Sequence, residues 1–381
     1  MKCSGIDAFT GDALEITASS VIDGVDHLIS PPADLPYIAP GFIDVQVNGF
    51  AGVDYCSPTA AMDGIAASIR ALHKTGVTRF FPTVITGTQT SMLGAIRNLA
   101  RAMKELPEGR TIEGLHIEGP HISPEDGPRG AHPQHCVRPP DLDEFNRWQD
   151  AAEGAIRLVT VSPEWPQTPW YVEALVREGV VVSIGHTKAD PEQILGAVAA
   201  GATMSTHMGN GAHAVLPRHP NYIWEQLAND RLAASFIVDG IHLGASFLKV
   251  ALRAKGVERS ILVTDAVMPA GCEPGPYMLG EVEVELHGDG SVRLRGGTRL
   301  AGSALTMDRA VSNVMRMAGL NLRDALTMAS INPARVCRIS SRRRGLAVGD
   351  RADFVVFRTV DANVRVLETW VSGERVYAEA A

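Results

Sequence analysis

VVVSIGHTKADPEQILGAVAAGATMSTH, residues 180–207, holds a strand, a helix and a second strand in one short passage. A β-branched run over 180–186 ends in Gly185-His186, and apolar residues then recur at helical spacing over 191–200. A second run over 203–207 ends in Thr206-His207. The period separates the elements, because strand side chains alternate every second residue and a helix returns to the same face every 3.6. The unit repeats along the chain. Short apolar runs stand at 41–47, 77–85, 111–118, 156–161, 180–186, 203–207, 232–239 and 260–265. Between most of them lie helix-like stretches at 60–74, 91–106, 169–178, 191–200 and 244–255. Eight alternations of strand and helix predict an α/β fold, a (β/α)8 TIM barrel. A doubly wound open sheet would also alternate, but no G-x-G-x-x-G fingerprint follows the first run.

Outside these units the texture changes. Residues 1–38 are short segments broken by Gly, Asp and Pro, and strand-like segments return at 352–357 and 364–376. The two ends are expected to pair as a small β-sandwich satellite domain (1–38 with 346–381), leaving 39–345 to the barrel. After the eighth run, 277–294 reads as a hairpin with its turn at Gly288-Asp289-Gly290, followed by helices near 303–317 and 322–330.

At 381 residues and 45% hydrophobic, the chain can bury a large core. Its net charge of −8, with acids and bases interspersed, disfavours nucleic acid and anionic membrane as partners. The five cysteines are scattered and include no C-x-x-C pair. That pattern argues against a disulfide framework or a cysteine zinc site and fits a reducing, cytoplasmic setting. No signal peptide is expected at the N-terminus, and no apolar run reaches the roughly 20 residues of a membrane span.

In a TIM barrel the chemistry sits where the strands end. Here the runs end in Asp44-Val-Gln46-Val-Asn48-Gly49, His116-Ile-Glu118-Gly119-Pro120, Gly185-His186-Thr187, Thr206-His207, Asp239-Gly-Ile-His242 and Thr264-Asp265-Ala266. An isolated strand-end histidine is more often a satisfied structural group than a ligand. Several aimed at one mouth are different, because desolvating so many imidazoles and carboxylates without a cation is costly. Glu118, His186 and His207 offer one oxygen and two nitrogens, the donor set of a catalytic metal with a position open for water. Asp265, ending the last run, stands where a proton-transferring base is needed.

The ordered set of strand ends resembles the N-acetylglucosamine-6-phosphate deacetylases of the amidohydrolase superfamily. The matching segments are Pro40-Gly-Phe-Ile-Asp-Val-Gln-Val-Asn-Gly49, His116-Ile-Glu-Gly-Pro120, Gly185-His-Thr187, Thr206-His207, Asp239-Gly-Ile-His242, Leu262-Val-Thr-Asp-Ala266 and Leu300-Ala-Gly-Ser-Ala-Leu-Thr306. The resemblance implies hydrolysis of the N-acetyl group of N-acetylglucosamine 6-phosphate by a metal-activated water. It makes Glu118, His186 and His207 the ligands, Asp265 the general acid–base, and His132 the contact to the scissile carbonyl. Ala131, Asn210 and Gly211 become sugar contacts, and Arg218 and His242 hold the phosphate. Leu300, Ala301 and Gly302 form a loop over the substrate. Arg218's counterpart reaches into a neighbouring subunit, which implies a homodimer. One divalent ion per subunit is expected, Zn2+ by donor type, with Fe2+, Mn2+ or Co2+ open to the same ligands.

Two departures mark this chain. Many amidohydrolases carry His-x-His at the end of the first strand, where a second metal sits. Here Gln46 and Asn48 stand in those places, either as the remnant of a second metal site or as hydrogen-bonding amides of the barrel mouth. After His207, the sequence Met-Gly-Asn-Gly-Ala-His213 replaces the usual aromatic or Leu followed by Asn-Ala-Met. N-acetylgalactosamine 6-phosphate, an unphosphorylated sugar or another amide therefore remains open. Of the other candidates, His116 is expected behind the ligands, and His121 and His135 in solvent. Arg342-Arg343-Arg344 is expected as a solvated turn, and Trp165 and Trp224 as packing residues. A non-catalytic sugar binder is disfavoured, because it needs no metal water and no base.

Overall fold

Eight strands follow one another around a parallel sheet in chain order: Phe42–Val47, Val77–Ile85, Leu115–Glu118, Ile156–Val161, Val181–Ile184, Met204–Ser205, Ala233–Ile237 and Ser260–Val263. The computed structural model describes residues 1–280, 282–339 and 345–380, so Arg342-Arg343-Arg344 lies outside the described residues. The last strand returns to the first. Asp265 N donates to Gln46 O at 3.0 Å, Asn48 N donates to Ala266 O at 2.7 Å, and Val47 bridges Ala266 in parallel. This closes the (β/α)8 barrel, and every predicted run lands on one of its strands. Most strand residues are buried on both faces, as a sheet filled inside and covered by helices requires.

The helices that cover it include Met62–His73, Gln89–Glu105, Thr168–Arg177, Pro191–Ala200 and Ala245–Lys255, each within two residues of its expected start and end. Pro191–Ala200 begins with a capping box: Asp190 accepts from Gln193 N, and the Gln193 side chain accepts from Asp190 N. Its end is Gly201 at φ +116°. Two further helices, Leu142–Ala151 and Tyr222–Ala228, were not visible as patterns. Both are short and capped by Asp141 and Asn221, whose side chains accept from backbone N–H groups of the first turn.

The strand-like segment near 277–294 is larger than a hairpin. Gly275–Leu279, Val282–Leu286, Ser291–Leu294 and Leu300–Ser303 form a four-stranded antiparallel sheet. Leu300, Ala301 and Gly302, expected in a loop, therefore lie on a strand, held by pairing to Ser291–Leu294 on one side and to Ala266 at Ser303 on the other.

The chain ends join in a seven-stranded sheet in which Tyr37–Pro40 sits between Lys2–Asp7 and Phe354–Val360. This satellite has its own core of Leu14, Ile16, Ile22, Ile38, Phe354 and Val356. A buried ion pair joins it to the barrel. Arg79, on the second barrel strand and fully buried, donates from Nε to Asp353 Oδ2 at 2.6 Å and from Nη1 to Glu113 at 3.0 Å. Asp353→Ala breaks this pair and is expected to lower unfolding stability by about 3–5 kcal/mol. An unchanged urea midpoint and slope would show that the pair contributes nothing.

Candidate active site

At the barrel mouth three side chains from the third, fifth and sixth strands meet. Glu118 Oε1 lies 3.1 Å from His186 Nε2 and 2.7 Å from His207 Nε2, and the two nitrogens are 3.0 Å apart. All three residues are buried. Because the Nδ1 of His186 bonds Pro128 O, its bare Nε2 sets a lone pair against the Glu118 oxygen 3.1 Å away, which is repulsive. A cation among them resolves this. A tetrahedral ion with bonds of about 2.0–2.1 Å sets its ligands about 3.3 Å apart, close to the spacing seen. His186 Nδ1 donates to Pro128 O at 2.8 Å, which leaves the Nε2 lone pair facing inward as a ligand requires. The residues present therefore fit a divalent metal.

The backbone is bent to make this convergence. His186, His207 and Asp265 have φ of +48°, +30° and +50°, three of only nine positive-φ non-glycine residues among the described residues. Left-handed backbone costs free energy for such side chains and persists where the surroundings demand it. Here it lets the chain leave the strand while the side chain still points into the mouth. Gly211, also left-handed at φ +56°, passes so close that a Cβ there would lie 2.7 Å from His186 Nδ1. Gly211→Ala should displace the imidazole from Pro128 O, reducing both activity and metal affinity by at least about tenfold. Wild-type metal affinity and turnover in that variant would remove Gly211 as a constraint on the site.

Asp265 is tethered by the first strand. Gln46 Nε2 donates to its Oδ1 at 3.1 Å and Asn48 Nδ2 donates to the same oxygen at 2.6 Å, while its Oδ2 has no hydrogen bond among the described residues. Burial pushes the Asp265 carboxyl up to about 6, aided by the nearby Glu118 charge and opposed by His207 and Asn48. Beneath it, Asp44 is fully buried and accepts from Thr264 Oγ1 at 2.5 Å, and burial pushes its carboxyl up to about 7.

His116 stands behind the ligands. Its Nε2 meets Thr160 Oγ1 at 2.8 Å, and Thr160 continues to Thr206 and then Ser183 at 2.7 and 2.6 Å. This buried chain of hydroxyls supports the floor of the site. His132 comes from the loop after the third strand. It is 6% exposed, its ring centroid is 4.4 Å from that of His186, and its Nδ1 lies 2.7 Å from Thr86 Oγ1. Burial, with the neighbouring His186, pushes its imidazole down to about 3.

The remaining expected residues are placed as follows. Asn210 folds back onto His207 O, its backbone N at 2.9 Å and its Nδ2 at 3.3 Å. His242 Nδ1 meets Asp239 Oδ2 at 2.6 Å, and Asp239 Oδ1 accepts from the backbone N–H groups of Ile241 and His242. Asp239 thus orients His242, a role not visible from its position in the motif. Ala131 and Arg218 are exposed, and among the described residues the Arg218 guanidinium has no hydrogen-bond partner. Arg299 donates to Gly130 O at 3.0 Å, tying the Leu300–Ser303 strand to the loop that carries His132.

His121 is not in solvent. It is fully buried, stacked on Trp148 at 5.4 Å between centroids, because the helix Leu142–Ala151 covers its loop. His135 is exposed as expected. Trp165 donates to Ile122 O at 3.1 Å, whereas Trp224, expected to pack, is 46% exposed. A groove of about 670 Å3 lies on the satellite around Cys3, Trp370 and Arg375, away from all these residues.

The chain is similar to known proteins in sequence and in fold. The model of the amidohydrolase family matches residues 37–376. The N-acetylglucosamine-6-phosphate deacetylase of Bos taurus is 37% identical over 355 residues, covering 89% of this chain and 83% of its own. The N-acetylgalactosamine-6-phosphate deacetylase of Escherichia coli O157:H7 is 30% identical over 363 residues, covering 93% of each. Among solved structures, an aspartate-to-alanine variant of N-acetyl-D-glucosamine-6-phosphate deacetylase from Mycobacterium smegmatis, in complex with N-acetyl-D-glucosamine-6-phosphate, superposes with a TM-score of 0.88 at 30% identity, covering 99% of each chain. A metal-competent Glu–His–His cluster and a tethered aspartate at the mouth of a closed barrel accord with these likenesses: the chain belongs to the amidohydrolase family, in the group of the N-acetylglucosamine-6-phosphate deacetylases.

Proposed function

We propose that this protein hydrolyses N-acetylglucosamine 6-phosphate to glucosamine 6-phosphate and acetate. The observation that carries the reading is the Glu118–His186–His207 cluster sharing one barrel mouth with Asp265, in a chain whose relatives include deacetylases of this substrate. Glu118, His186 and His207 hold one divalent ion, Zn2+ by its preference for two imidazoles and a carboxylate. The ion, when bound, lowers the pKa of water from 15.7 toward about 7 and polarises the carbonyl.

Asp265 takes the proton of the attacking water on Oδ2, while Gln46 and Asn48 keep Oδ1 occupied. It returns that proton to the sugar nitrogen as the C–N bond breaks, so the products are the amine and acetate. His132 donates to the acetyl oxygen as negative charge develops there. Ala131, Asn210 and Gly211 contact the sugar, and Leu300, Ala301 and Gly302 bound it from the far side. His242, set by Asp239, and Arg218 grip the phosphate, for which the arginine's planar fork is suited. Arg218 serves a neighbouring subunit's site in a homodimer, which its exposure and its lack of a side-chain partner among the described residues support. Five unpaired cysteines fit a reducing cytoplasm.

Acetate release from N-acetylglucosamine 6-phosphate, compared with the unphosphorylated sugar and repeated after chelation, tests this. Release that needs both phosphate and metal is expected. N-acetylgalactosamine 6-phosphate, which the altered loop after His207 leaves open and which a 30% identical relative is named for, belongs in the same assay. Faster turnover of the galactosamine compound would reassign the sugar. No release from any of them, with metal bound, would overturn the substrate and keep the family.

A further inference from the structure

Among the eight barrel strands, the second contributes no His, Asp or Glu to the mouth. It ends at Ile85, and the next residue, Thr86, is 4% exposed and faces His132 Nδ1 at 2.7 Å. The hydroxyl is confined. Gly119, directly after Glu118, lies so close that a Cβ on it would come within 2.1 Å of Thr86 Oγ1. Thr86 is thus wedged between the residue following Glu118 and the Nδ1 edge of His132.

A neutral imidazole has one N–H and one lone pair, and its neighbours decide which nitrogen carries the proton. Two arrangements satisfy the 2.7 Å contact. In the first, Nδ1–H donates to the threonine oxygen. The hydroxyl proton then has no acceptor among the described residues, because the only side-chain bond of Thr86 is to His132. A buried donor without an acceptor is penalised more heavily than the average hydrogen bond is rewarded. In the second, the hydroxyl donates to Nδ1, and the one donor left over is the ring N–H at Nε2, which is not among the buried unpartnered atoms of the described residues. The proton of the ring is then on Nε2, which makes no hydrogen bond among the described residues.

We propose that Thr86 is a positioning residue that holds His132 in its Nε2–H tautomer and so makes it a hydrogen-bond donor to the substrate carbonyl. With the proton on Nδ1 instead, Nε2 would present a lone pair to an oxygen that is gaining negative charge, and the contact would repel. The inference rests on the role proposed above for His132, and it adds the group that keeps this histidine a donor.

The test uses Thr86→Val, which preserves shape and removes the hydroxyl, beside Thr86→Ser, His132→Ala and the double variant. Thr86→Val is expected to lower kcat by about 10- to 100-fold with KM and bound metal close to wild type. Thr86→Ser should recover most of the loss, although it leaves a methyl-sized gap. On a His132→Ala background, Thr86→Val should have little further effect, since the histidine it serves is gone. Full activity in Thr86→Val with a damaged His132→Ala overturns the proposal, as does rescue failing in Thr86→Ser. Full activity in His132→Ala instead overturns the role of His132 itself, which separates the two failures. If Thr86→Val folds poorly, two-bond 1H–15N correlations of His132 in the wild-type metal-loaded enzyme read the tautomer directly. An Nε2–H pattern supports the assignment and an Nδ1–H pattern overturns it.

Discussion

Replacing Asp265 by Asn is expected to lower turnover by about 10²- to 10⁴-fold while bound metal stays at its wild-type level. The substitution keeps the shape of the side chain. Its amide oxygen can take the place of Oδ1 and still accept from Gln46 Nε2 and Asn48 Nδ2, which lie 3.1 and 2.6 Å away. What changes is the other atom, an NH2 group in place of Oδ2, which can neither take a proton from water nor return one. The fold should tolerate it, because Asn is among the residues that accept the left-handed backbone found at φ +50°. Removing a carboxylate that feels the Glu118 charge also relieves a repulsion. Turnover within a few-fold of wild type would remove Asp265 from the proton transfers. Loss of metal would make it a ligand.

His207→Ala should remove metal and activity together, each by more than about 100-fold, and added metal should not restore turnover. The imidazole Nε2 is 2.7 Å from Glu118 Oε1 and 3.0 Å from His186 Nε2, so its loss opens one side of the cluster. The strand end itself should hold, since His207 N still bonds Ser235 Oγ at 2.8 Å through the backbone. Chelation of the wild-type protein gives the contrasting result: activity is lost and then returns with added metal, because the ligands remain. Metal retained at wild-type affinity in His207→Ala would eliminate this ligand set. Together the two variants separate holding the ion from moving the proton.

Gln46 and Asn48 show where a sequence reading stops. Their place in the motif left two roles open, the remnant of a second metal site or hydrogen-bonding amides. The structure has both donating to one oxygen of Asp265, across 219 and 217 residues of chain. Only closure of the last barrel strand onto the first brings them together. Thr86 is a similar case, because its partner His132 is 46 residues away on a loop with no periodic pattern. His121 misled for the opposite reason. Its Pro- and Gly-rich surroundings read as solvated loop, and the covering Trp148 comes from a helix of ten residues whose pattern was too short to recognise.

From the sequence alone came the barrel, the satellite built from both chain ends, and the cluster of Glu118, His186 and His207. These follow from local periodicity and from the rule that parallel barrel strands deliver their last residues to one face. The tertiary structure alone decided which atoms meet: the tether on Asp265, the contact of Thr86 with His132, the bond between His242 and Asp239, and the strand rather than loop at Leu300–Ser303. The physical reason is range. Secondary structure is written by neighbours a few residues apart, whereas a hydrogen bond of 2.6 Å depends on side chains whose separation is set by the packing of the whole barrel.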